Sequence, residues 1–483
     1  MRKLRLLVVI LGIALVTWLG LEIHARITYE PEPWLEDLDR IEAHLAQTYA
    51  NLDWANRTGR VRPAVLDAET RDAIRDASTD AEAGRALQAF IAAFGDPHLR
   101  IETPSVMRDL ERWWRREGDE VAVSSTPSVA CDRLGYEDDA PGFGVDFESV
   151  DGFHALADAG PGDPFPAGVL EVDGHRVGVL RIESFGVHPY RPLAEDAWRS
   201  VVSEESASSL ESRLFQAVCD SLLARLQRRL EQLEDAKIDA LVVDISGNGG
   251  GTDWVDPAAR MLTGSSLSSP RIAEIRHTET KERFERWRVK LLAEAEAAKG
   301  TSREARVARA IQRVSQCLGK LEPPDRAPIW SGAAVEDLLL GEELYTSGVF
   351  PSVPLEELEG AADPSILFGP ARFDYRPGCW TGPLAVLIDS ATASASEHFA
   401  AMLRDGEAAT LIGERTMGAG CGYIDGGHPL DLERGWTLHV PNGTRQRRDG
   451  RYELEGIEPD LKVTAPRRDI AGVMKAIRQW LKR

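Results

Sequence analysis

Cysteine is scarce in this chain: five in 483 residues, irregularly spaced, so no disulfide framework is expected. Basic charge is short as well. Lys and Arg number 57 against 78 Asp and Glu, a net charge of −21. A chain with no basic footprint is a poor match for phosphate backbones, so no nucleic-acid partner is expected. No internal repeat at the roughly 20–50-residue period of solenoids or propellers is present. No His, Cys, Asp and Glu cluster shows metal-ligand spacing, so neither a metal nor another cofactor is expected.

What is present suits a large globular protein. Hydrophobic residues at 43% and charged residues at 28% allow a sizeable core, and the length allows two or three structural units. Arg2, Lys3 and Arg5 precede an uncharged run over 6–21. The run is long for a signal-peptide core and short for a spanning helix. Ala25 could end a weak cleavage site. Positive charge before the run predicts that the remainder is translocated. The expectation is an exported protein, periplasmic or extracellular, with residues 1–25 as a signal or, preferably, a transmembrane anchor holding it at a membrane.

Residues 34–103 read as a helical domain: Leu35, Leu38, Ile41 and Leu45 recur at helical spacing. Residues 104–168 form a variable connection, with a charged helix bearing Trp113 and Trp114. A core begins in 169–275, with a hairpin through Asp173-Gly174. A long amphipathic helix from Leu210 to Leu233 then leads into the apolar strand 238–245, a β-α-β crossover that implies parallel pairing. Residues 276–380 are a charged helical insertion, either a lid or a solvated surface addition. The core resumes in 381–483.

Two segments carry chemistry. The apolar run 383–388 reads as a buried strand, followed by Asp389-Ser-Ala-Thr-Ala-Ser-Ala-Ser-Glu-His398 and a helical pattern. Such a turn puts the Ser394 hydroxyl at a helix N-terminus, where backbone N–H groups favour negative charge. Several hydrolase folds present a serine nucleophile in this way. Ser394 and Glu397 also fit a capping box, which needs no catalysis. The second segment, Ser246-Gly-Asn-Gly-Gly-Gly251, follows a buried strand and lets backbone approach a ligand. It lacks the lysine of a nucleotide loop.

Together these segments resemble the C-terminal-processing (tail-specific) and tricorn-core serine peptidases. Asp244-Ile-Ser-Gly-Asn-Gly-Gly-Gly251 is similar to that family's Asp-Leu-Arg-x-Asn-x-Gly-Gly. Ser390-Ala-Thr-Ala-Ser-Ala-Ser-Glu397 is similar to its nucleophile segment, which makes Ser394 the attacking serine. Gly413-Glu-Arg-Thr-Met-Gly-Ala-Gly420 and Gly456-Ile-Glu-Pro-Asp460 continue the likeness. The resemblance implies an α/β fold, a crotonase-like repeated ββα core with an N-terminal helical domain. It also implies hydrolysis of peptides or unfolded protein through an acyl-enzyme.

One departure bears on mechanism. Where the processing branch has its lysine base, this chain has Ala419, and Tyr423 stands at the supporting glutamine. A serine hydroxyl needs a neighbour to take its proton. The turn Gly95-Asp-Pro-His98 resembles the tricorn-like branch, which implies His98 as base and Glu453 as its partner, with Glu455 as a rival. Imidazole titrates near neutrality, which suits the role. The resemblance further implies an oxyanion hole from the N–H groups of Gly250 and Ala395. His398 is expected to face packing or solvent. Cys379 and Cys421 are a candidate pair, with free thiols preferred. Two alternatives remain: a catalytically inactive binding protein on the peptidase fold, and an esterase on small acyl substrates.

Overall fold

The apolar runs form one seven-stranded mixed sheet in the computed structural model, which describes residues 24, 26–104, 126–137, 142–158, 163–203, 209–341 and 344–483. In spatial order its strands are Leu461–Lys462, Thr410–Gly413, Leu384–Ile388, Ala240–Asp244, His175–Arg181, Ala167–Val172 and Phe153–Ala155. The first five run parallel, and the last two join antiparallel. Leu241 stands opposite Leu384 and Val177 opposite Ala240. Both central strands are buried along their whole length, as parallel strands covered on both faces must be.

Alternation along the strands divides the core in two. Leu241, Val243, Val386 and Ile388 pack with the long helix Leu210–Asp235 and the helix Ala395–Asp405. Val242, Ala385 and Leu387 pack with the last helix, Ile470–Trp480. The hairpin turns through Asp173 and Gly174, both at positive φ, as a two-residue turn of type I′ requires.

This topology corrects the expectation of a crotonase-like repeated ββα core. A repeat needs a second antiparallel hairpin feeding a helix. Leu384–Ile388 has none: Ala240–Asp244 and Thr410–Gly413 flank it, both parallel. The observed fold is a mixed sheet combined with helical parts.

The helices Glu32–Thr48, Pro63–Asp76 and Asp80–Ala92 share a core that also takes in Trp330, Leu438 and Leu454 from far along the chain. Between the two central strands, the helices Thr278–Ala298 and Glu304–Leu318 pack with 340–368 around Phe284, Leu291, Val314 and Phe368. A four-stranded sheet, Cys421–Gly422, Gly443–Gln446, Arg271–Glu274 and Leu344–Tyr345, joins this region to the C-terminal part.

The transmembrane expectation is corrected too: among the described residues, no helix is long and apolar enough to cross a membrane. The run 6–21 and the Trp113–Trp114 helix lie outside the described residues. Cys131, Cys219 and Cys379 are free thiols and buried, and Cys317 is buried as well. The Cys379 thiol donates to the Arg376 carbonyl at 3.0 Å, so it is not in the candidate pair, and the Cys421 side chain lies outside the described set.

Candidate active site

Ser394 sits between the buried strand Leu384–Ile388 and the helix Ala395–Asp405, with φ 56° and ψ −115°. A non-glycine residue held there costs about 1–3 kcal/mol and persists only when its surroundings enforce it. The enforcement is visible. Asp389 accepts from the Gly247 N–H at 2.8 Å and pairs with Arg467 at 2.8 Å. The Ala393 N–H donates to the Asn248 carbonyl at 3.1 Å. The turn is thus sewn to the glycine loop. Gly250 lies against it at φ 104°, and a Cβ there would fall 2.7 Å from Ser394 Cβ and 2.8 Å from Ala395 N. Only glycine fits.

Glu397 holds the turn from the other side. Its carboxylate is fully buried and accepts four bonds: from the N–H groups of Ser394 (3.0 Å), Gly418 (2.8 Å) and Ala419 (2.7 Å), and from the Thr416 hydroxyl (2.5 Å). Burial raises its pKa above the ordinary carboxylate range, and the bonds from Thr416 and Gly418 oppose that. The Ser394 N–H bond to Glu397 is the half of a capping box that fixes the backbone. The segment where the resembling family has its lysine thus serves as the second wall of this clamp.

A cavity of about 580 Å³ opens at Ser394, lined among others by His98, Ala395, His398, Tyr423 and Arg445. Asp244, buried at the end of its strand, accepts from Ser246 and from the N–H groups of Gly144 and Val145, and so shapes the loop rather than facing the cavity.

His98 follows the helix Asp80–Ala92 through a turn whose Asp96 accepts the His98 N–H at 3.0 Å. The other Asp96 oxygen takes bonds from Tyr49 and Asn51, both at 3.0 Å. Tyr423 donates its hydroxyl to the His98 carbonyl and stands edge-on to the imidazole, with centroids 5.4 Å apart. Burial pushes the His98 pKa below its ordinary value; Asp96 pulls it up, while Arg445 and Arg100 push it further down. A lowered pKa favours the neutral imidazole that a general base needs.

Of the residues the sequence marks, His98, Ser394 and Ala395 line one cavity. Gly250 abuts Ser394, and its N–H donates to Asn248 Oδ1 at 2.9 Å. Glu453 is fully buried, whereas Glu455 is exposed. Glu453 Oε2 accepts from Arg445 Nε at 2.6 Å, and its Oε1 has no hydrogen-bond partner.

Two features escape a reading of the sequence. Arg445 bridges Glu453, the Ser394 carbonyl (2.8 Å) and the Ala419 carbonyl (3.3 Å). No local motif marks it. His398, expected to face packing or solvent, is buried and also lines the cavity, 3.3 Å from the Thr346 hydroxyl and 3.7 Å from Asp256. Burial pushes the Asp256 pKa up, but Arg260 and His398 outweigh that and hold the carboxyl well below its usual range. The spacing of His398 from Ser394, one helical turn, was the available signal.

The model of peptidase family S41 matches residues 176–463. No curated protein sequence matches the chain. Among solved structures, mature CPAF complexed with lactacystin is similar at 16% identity and a TM-score of 0.56, covering 94% of this chain and 99% of that one. A serine-to-alanine mutant of CPAF gives 15% identity and a TM-score of 0.55, covering 93% and 96%. At these identities the likeness is one of fold, and that fold is the helical and mixed-sheet arrangement described above, not a crotonase-like one.

Proposed function

The chain belongs to peptidase family S41, and on that premise we propose how its residues divide the reaction. It is an exported serine peptidase that hydrolyses peptide bonds through an acyl-enzyme. Ser394 is the nucleophile. His98 takes the hydroxyl proton as the Ser394 oxygen attacks the scissile carbonyl carbon, then gives it to the leaving amine. In deacylation His98 draws a proton from the water that attacks the ester carbon and passes it to the Ser394 oxygen as the C–O bond breaks, restoring the hydroxyl and freeing the carboxylic acid.

Glu453 is the third member, favoured over Glu455 by its burial. Ala395 opens its helix, where N–H groups lack intrahelical acceptors, and would donate to the oxyanion. Gly250, the second donor, would turn its N–H from Asn248 to the substrate oxygen. A histidine base with a glutamate partner is the arrangement of the tricorn-like branch. Residues 276–380 contribute one wall of the cleft through Arg283, Trp287, Tyr345 and Ser347, which supports a substrate-gating role. The N-terminal run 6–21 directs export and associates the protein with a membrane.

The observation that carries this reading is the enforced, strained backbone at Ser394, opening onto a cavity that His98 also lines. A fluorophosphonate probe should label the wild-type protein at neutral pH and leave Ser394→Ala unlabelled. Folded wild-type protein that resists the probe would instead point to an inactive binding protein on the same fold.

A further inference from the structure

Folding brings together a cluster that sequence spacing conceals. His277 caps the first helix of the insertion, Thr278–Ala298; Glu279 lies in its first turn; His428 belongs to the loop that follows Asp425 in the C-terminal part. Their candidate ligand atoms all lie within 4.8 Å of one another. The rings of His277 and His428 are 4.3 Å apart between centroids, and His428 Nδ1 is 3.5 Å from Glu279 Oε2. His44, from the helix Glu32–Thr48, reaches the same place, its Nε2 2.8 Å from the His428 carbonyl oxygen.

We propose that His277, Glu279 and His428 bind a divalent transition-metal ion of the Zn²⁺ class. Two imidazoles and a carboxylate form a donor set suited to Zn²⁺, leaving a fourth position for water. With metal–ligand bonds of about 2.1 Å in a tetrahedron, donor atoms stand about 3.4 Å apart, so no pair needs to close by more than about 1.4 Å. Glu279, with its side chain 69% exposed, and the half-buried His277 can supply that movement. His428, buried and held by its backbone bond to Val440, is the fixed member.

The position gives the ion a consequence. The helix that His277 caps bears Arg283 and Trp287, which line the cleft; the segment running to His428 bears Tyr423, Ile424 and Asp425, which line it as well. Besides the contacts within the cluster, Arg283 joins Asp425 at 3.0 Å. A bound ion adds a further link and fastens the insertion to the part of the segment that touches His98. This is a binding claim, independent of whether Ser394 is reactive.

The test uses the full chain, without a polyhistidine tag, stripped with chelator and dialysed. Zn²⁺ alone is titrated in competition with a chromophoric chelator. The expected result is one tightly bound Zn²⁺ per chain. Losing an outer partner of a metal ligand typically costs roughly 10–100-fold in affinity, so His277→Ala and Glu279→Gln should each weaken binding by at least about 100-fold. Both residues are near the surface, so these variants keep the test valid if a His428 substitution fails to fold. A wild-type chain that binds no Zn²⁺ more tightly than the two variants overturns the proposal, as does one whose Zn²⁺ survives both substitutions.

Discussion

Replacing Arg445 with methionine asks whether one buried cation holds the nucleophile turn in place. The guanidinium is 8% exposed. It binds Glu453 at 2.6 Å and the carbonyls of Ser394 and Ala419 at 2.8 and 3.3 Å. Methionine keeps much of the stem's volume and removes the charge. Glu453 is then left fully buried with no cation in contact, one of its oxygens already lacking a partner. Breaking a buried pair from one side costs about 3–5 kcal/mol. The two carbonyls also lose a donor, but losses within one network do not add, so that range stands for the whole effect. Equilibrium urea unfolding measures it. Adding Glu453→Gln removes the stranded charge and should recover part of the loss, which a double-mutant cycle reads directly. Kinetics give a second signal. Arg445 helps hold the His98 pKa down, so its removal should move the acid limb of kcat/KM to higher pH. An Arg445→Met protein within about 1 kcal/mol of wild type, with its acid limb unmoved, would refute the reasoning.

Four further outcomes are expected. Because burial lowers the His98 pKa and the base must be unprotonated, kcat/KM should rise with pH through a midpoint below the ordinary 6.5; a midpoint above it points to another base. His98→Ala should lower kcat by about 10⁴ or more, since members of a triad act as a unit; near-full activity alongside a dead Ser394→Ala would end the proposed triad. Gly250→Ala places a methyl 2.7 Å from Ser394 Cβ at a φ of 104°, so the turn must shift. A displacement of about 1 Å can cost about 100-fold, so kcat should fall by that order while circular dichroism stays native. Trp287→Ala removes part of the cleft wall formed by the insertion and should raise KM for a protein substrate several-fold with kcat little changed; an unaltered KM would leave the insertion without a role in binding.

Features encoded within short windows were legible in the sequence. The buried runs before Ser246 and Ser394 are strands, and the turn at Ser394 lies between strand and helix, because hydrophobic burial and small-residue turns act locally. The β-α-β crossover was legible too, since His175–Arg181 pairs parallel with Ala240–Asp244 as expected, but the neighbours of the later strands were not. An apolar run says that a strand is buried, not which neighbours it takes, so the parallel flanks of Leu384–Ile388 displaced the expected repeat. The capping-box pattern at Ser394 and Glu397 gave no hint that Glu397 would also bind the loop at Thr416–Ala419. Arg445 and the His277–His428 pair depend on contacts between distant segments, which no spacing rule detects.

The cleft draws its walls from residue 98 to residue 445, with the insertion between. Contacts so far apart in sequence form late, after most of the chain has paid the entropy of loop closure. No shorter fragment carries Ser394 together with His98 and Arg445. With the triad proposed above, a chain still emerging from the ribosome, or still threading across a membrane, would lack a complete site. On the proposed assignment, the site is complete only once the last tenth of the polypeptide has joined the first quarter.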